Sequence, residues 1–87
     1  MLAFWRQLAG VKNEAVLRAF GRHLRQLRED RGWSMQELAD VADVSKPTIY
    51  RIETARYSAT LDMLVSLARA LELPLAGLLS FEEATSR

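Results

Sequence analysis

Between Met35 and Thr54 two short apolar patterns are separated by a turn of only about three residues, and no other feature restricts this chain so strongly. Leu38, Ala39 and Ala42 form the inner face of the first pattern, Ile49 and Ile52 that of the second, and Val44 lies in the turn. So short a connection keeps the two helices in contact. Ala39 stands where they must nearly touch, because a larger side chain would push the second helix off the first. A pair built this way holds its second helix proud of the body.

The flanking punctuation extends the pattern to an all-α, five-helix fold. Ser34-Met35-Gln36-Glu37 has the form of a capping box and starts the second helix, which ends near Val41 or Ala42. Ser45 caps a third helix, roughly Ser45 to Thr54, with Pro47 tolerated in its first turn. Upstream, Asn13 before Glu14 is expected to cap a long first helix carrying Val16, Leu17, Phe20, Leu24 and Leu27 inward, with Gly32 as its left-handed stop. Downstream, Thr60 caps a fourth helix with Leu61, Leu64, Leu67, Ala68 and Leu71 on one side. Pro74 then separates a short fifth helix around Leu75 to Leu79. No run alternates as a half-buried strand does. The 87 residues suit one core, with an N-terminal extension over 1–12, a domain over 13–81 and a tail over 82–87.

Composition narrows the function. There is no cysteine, hence no disulfide framework and no thiolate metal site. The opening Met1 to Arg6 is apolar for too few residues to be a signal core or a bilayer span, so a soluble, cytoplasmic protein is expected. His23 is the only histidine and has no partner pattern for a triad or a metal; it reads as a structural residue, and neither an enzyme nor a cofactor is expected. Trp33, Met63 and Leu64 read as core. Net charge is only +1, yet residues 1–31 carry Arg6, Lys12, Arg18, Arg22, Arg25, Arg28 and Arg31 against Glu14, Glu29 and Asp30. The basic charge is therefore segregated.

Four phrases together resemble the phage repressor and Cro class of helix-turn-helix regulators, the XRE family, over about residues 17–80. They are Phe20-Gly21-x-x-Leu24-x-x-Leu27-Arg28, Gly32-Trp33-Ser34-x-x-Glu37-Leu38-Ala39, Val44-Ser45-x-x-x-Ile49-x-Arg51-Ile52-Glu53, and Thr60-Leu61-x-x-Leu64-x-x-Leu67-Ala68-x-Ala70-Leu71. The resemblance implies a transcriptional regulator, a repressor by expectation, that binds double-stranded DNA as a homodimer with its third helix in the major groove. Ser45, Lys46, Pro47, Thr48, Tyr50 and Arg51 would then face base edges. Lys46 and Arg51 suit guanine, and Pro47 and Thr48 a thymine methyl. Backbone amides near Ser34 and Met35, with Gln36 beside them, would face a phosphate, as would Arg56. Arg28 and Glu53 correspond to the family's structural ion pair.

Four positions depart from the family pattern. Met35 replaces the usual glutamine, Asp43 the usual turn glycine, and Ala55 and Ala59 the frequent glycine and proline of the next loop. A second function class therefore stays open, a protein-interaction module on the same scaffold, with a toxin or RNA polymerase as the kind of partner. Two segments offer themselves for association. Phe4, Trp5 and Leu8 either fold back on the domain or bury against a second subunit, and Leu73, Leu75, Leu78, Leu79 and Phe81 are richer in apolar residues than one small core requires.

Overall fold

Ser34 Oγ accepts a hydrogen bond from the Glu37 amide at 3.0 Å, and Glu37 Oε1 accepts one from the Ser34 amide at 2.7 Å. This reciprocal cap begins one helix two residues after Gly32, at φ 71°, has ended another. The computed structural model describes residues 13–82. Within them lie α1 (Glu14–Asp30), α2 (Met35–Ala42), α3 (Lys46–Glu53), α4 (Leu61–Ala70) and α5 (Leu75–Leu78). No strand occurs among the described residues, so the fold is all-α with five helices. Phe4, Trp5, Leu8 and the rest of the expected extension lie outside the described residues, as do positions 83–87 of the expected tail.

Helix α3 is held between α2 and α1, while α4 packs on α2 and α5. The centre is filled by Leu24 from α1, Leu38 and Ala39 from α2, Ile49 and Ile52 from α3, Leu67 and Leu71 from α4 and its end, and Leu78 from α5. Burying a side chain of leucine or isoleucine size contributes about 1.5–3 kcal/mol, so each of these residues is a substantial part of the apolar driving force. Ser45 and Thr60 cap α3 and α4 by accepting from the Thr48 and Met63 amides. Among the described residues no helix is long and apolar enough to cross a membrane.

Three expectations need correction. Asn13 occupies the N-cap of α1, but its side chain makes no capping hydrogen bond; its φ of −115° and ψ of 53° lie outside the extended cap geometry, and the turn is closed by its carbonyl accepting from Leu17 at 3.0 Å. Leu61 does not join the inner stripe of α4. It sits in the first turn directly after the cap, where no described element covers it, and is 66% exposed. The apolar residues of the last segment are no surplus: Leu78 is fully buried, Leu73, Leu75 and Phe81 pack against the core, and only Leu79 remains exposed, at 40%. Trp33, Met63 and Leu64 pack partly buried on the core. His23 lies with its ring 5.5 Å from Phe81 and 6.4 Å from Phe20, and its buried Nε2 has no hydrogen-bond partner among the described residues.

Candidate nucleic-acid interface

Helical spacing divides α3 into two faces. Ile49, Ile52 and Glu53 are buried, whereas Lys46, Pro47, Tyr50, Arg51 and the following Thr54 recur at intervals of three and four residues and are exposed. Neither Lys46 nor Arg51 forms an ion pair among the described residues. Arg56, just beyond the helix, places its guanidinium 5.9 Å from the centre of the Tyr50 ring, which brings a third cation to the same face. Ser45 and Thr48 are more constrained. Their hydroxyls lie 2.7 Å apart and Ser45 Oγ also accepts from the Thr48 amide, so both serve the cap, and Thr48 is half-buried.

At the start of α2 the geometry corrects part of the sequence reading. The Ser34 amide, expected to be open to a phosphate, is taken by the Glu37 carboxylate, and the Ser34 hydroxyl by the Glu37 amide. The Met35 side chain packs against the core, and the Gln36 carboxamide donates to Asp40 at 2.8 Å. What remains for an anion is the pair of amides of Met35 and Gln36, neither of which has a partner among the described residues. The Glu37 carboxylate beside them weakens that site.

The outward helix is fastened from behind. Arg28 Nε donates to Glu53 Oε2 at 2.7 Å, Arg28 Nη2 to Glu53 Oε1 at 3.0 Å, and Arg28 Nη1 to the Trp33 carbonyl at 2.8 Å. Arg28 and Glu53 are only 7% and 9% exposed. One guanidinium thus joins α1, the end of α3 and the loop before α2. The hydrogen bonds to Glu53 outweigh burial, and with the attraction of Glu53 and Glu29 they hold Arg28 protonated even above its ordinary high range. The loop on the other side is held by Arg31, which donates to the Leu71 carbonyl and stacks 5.6 Å from the Trp33 ring centre.

One positioning residue carries a sequence signal to which no role was attached. Gly21 lies in the middle of α1, where glycine is unfavourable without a packing reason. A Cβ added there would meet the Glu53 carbonyl oxygen at 2.5 Å and that of Ile52 at 2.7 Å. The missing side chain lets the end of α3 approach α1 closely enough for Arg28 and Glu53 to meet. Among the described residues no group of three or more His, Asp or Glu side chains is placed to hold a metal ion.

Two short helices in tight contact, the second presenting a cationic outer face, define a helix-turn-helix domain. The chain belongs to the Helix-turn-helix domain family, which it matches over residues 19–80. It is 36% identical over 67 residues to the HTH-type transcriptional regulator SutR of Escherichia coli K12, covering 77% of this chain and 38% of that protein, and so spans well under half of that relative's length. Its fold is similar to that of the restriction-modification controller protein C.AhdI of Aeromonas hydrophila, with a TM-score of 0.69, 29% identity and coverage of 71% of this chain and 94% of that one. It is also similar to the biofilm regulator SinR, solved in complex with DNA, with a TM-score of 0.64, 27% identity and coverage of 70% and 98%. These likenesses agree with the XRE-type resemblance drawn from the sequence.

Proposed function

We propose that this chain is a sequence-specific DNA-binding repressor of transcription that occupies a pseudo-palindromic operator as a homodimer. The observation that carries the reading is the outer face of α3, where Lys46, Tyr50 and Arg51 stand exposed and the two cations have no ion-pair partner among the described residues, on a helix fixed from behind. A helix of this size fits the major groove of B-form DNA. Lys46 and Arg51 donate to guanine edges there, Tyr50 and Pro47 contact neighbouring bases, and Arg56 with the Met35 and Gln36 amides meets phosphates. One eight-residue helix reads too few base pairs for useful specificity, hence a dimer with half-sites about 34 Å apart. Occupancy alone then blocks transcription. The relatives are regulators by name, and SinR is one solved on DNA.

Selection of bound fragments from random DNA tests the reading. An enriched inverted repeat is expected, and Lys46→Ala and Arg51→Ala should each weaken binding to it by about 1–3 kcal/mol while leaving the helical circular dichroism unchanged. No enrichment, or wild-type affinity in both variants, would overturn it in favour of a protein-interaction module.

A further inference from the structure

Arg56 lies six residues beyond Tyr50, which on an unbroken helix would set the two side chains about 120° apart around the axis. The sharp end of α3 brings them together instead. The Thr54 amide and hydroxyl both donate to the Tyr50 carbonyl, at 3.0 Å and 2.7 Å, Ala55 turns left-handed at φ 60°, and the Arg56 amide donates back to the Arg51 carbonyl at 2.7 Å. The backbone that carries Arg56 is thereby fastened to the last turn of the helix. Its guanidinium comes to rest 5.9 Å from the centre of the Tyr50 ring, within the range of a cation–π attraction.

Arg56 and Tyr50 are both exposed, and no carboxylate forms an ion pair with Arg56 among the described residues. An arginine left in water samples many rotamers, and a ligand that fixes one of them must offset the lost freedom. A ring face narrows that choice in advance. It does so without consuming donors, because the cation is attracted by the ring quadrupole and the guanidinium N–H groups stay open to an acceptor. At an exposed site such a contact favours the held arrangement by about two- to fivefold.

We propose that Tyr50 is a positioning residue for Arg56: its ring holds the guanidinium beside the end of α3, in place to meet a DNA phosphate. Position 50 then requires an aromatic ring for this purpose, and the tyrosine hydroxyl is dispensable to it. The inference rests on the DNA-binding reading and makes the phosphate contact of Arg56 depend on a residue of the base-facing surface.

Two measurements on the full chain test it. In the free protein, magnetic resonance should find the Arg56 side-chain methylene protons shifted upfield by the ring in the wild type and in Tyr50→Phe, but not in Tyr50→Leu. On a fragment enriched from random DNA, Tyr50→Phe and Tyr50→Leu are each combined with Arg56→Ala. Relative to Tyr50→Phe, Tyr50→Leu should weaken binding by about two- to fivefold per bound chain when Arg56 is present, and by much less when alanine stands in its place. Damage to the helix, or loss of a base contact made by the ring, would weaken binding equally in both backgrounds. With DNA still bound, three results would overturn this inference alone: unshifted Arg56 protons in the wild type, equal losses with and without Arg56, or Tyr50→Phe binding as weakly as Tyr50→Leu. Enrichment of no fragment would overturn the DNA-binding reading and this inference with it.

Discussion

A methyl group at position 21 has nowhere to go. On intrinsic preference alone, replacing a mid-helix glycine by alanine stabilises a helix by about 1 kcal/mol. Here the new Cβ would stand 2.5 Å and 2.7 Å from two backbone oxygens of α3, and backbone does not swing aside as a long side chain does. The sign therefore reverses, and Gly21→Ala should destabilise the domain by about 1–3 kcal/mol in urea unfolding. A more stable variant would mean that the two helices approach each other less closely. Arg28 and Glu53 obey a related logic. Glu53→Ala strands a guanidinium only 7% exposed and should cost about 3–5 kcal/mol, a large share of the stability of a small domain. Replacing both partners by apolar residues, Arg28→Met with Glu53→Leu, removes the charge altogether and should restore part of that loss. If the double variant unfolds at lower urea than the single one, the pair contributes net stability beyond mutual neutralisation.

The same closing device recurs at the ends of α1, α2, α3 and α4. In each, one residue turns left-handed and the next amide reaches back to the carbonyl five positions earlier: Trp33 to Arg28, Val44 to Ala39, Arg56 to Arg51 and Leu73 to Ala68. The left-handed residues are Gly32, Asp43, Ala55 and Glu72, so only the first is a glycine. At the other three a Cβ crowds the backbone. Ala55→Gly should relieve that strain and, after the greater freedom of an unfolded glycine is subtracted, raise stability by up to about 1 kcal/mol. A midpoint in urea that stays put or falls would show that the loop after α3 gains nothing from the freedom. These ends also mark how far elements can be read from sequence. Ser34 with Glu37, Ser45 and Thr60 announce helix starts because the side chain itself makes the bond. Gly32 and Asp43 announce stops by their tolerance of positive φ. Ala55 and Glu72 announce nothing by residue type, since neither alanine nor glutamate favours positive φ, and Leu61 misleads because periodicity cannot say where the covering helix ends.

At the level of the whole molecule, net charge is the least informative number. Arg18 and Arg25 are engaged by Glu14 and Glu29 at 2.6 Å and 2.9 Å, and Arg28 by Glu53, so three of the basic residues in the first third of the sequence are committed to carboxylates of the chain itself. The cations that gather on one surface come from later in the chain: Lys46, Arg51 and Arg56. The outward face of α3 was legible from spacing, because burying Ile49 and Ile52 leaves the opposite residues no other place. The commitment of the Ser34 amide to Glu37 was legible only as a capping box, and its consequence for an anion needed the hydrogen-bond geometry. Salt dependence turns this arrangement into a count. Each phosphate neutralised by a side chain contributes about −0.9 to the slope of log affinity against log salt. Arg56 is the one cation assigned to a phosphate rather than a base, so Arg56→Ala should reduce the magnitude of that slope by about one per bound chain, hence about two for a dimer on its operator. Lys46→Ala and Arg51→Ala should instead relax discrimination between operator sequences at the bases those side chains contact. A change near one for Arg56→Ala would point to a single bound chain, and no change would remove Arg56 from the phosphate contacts.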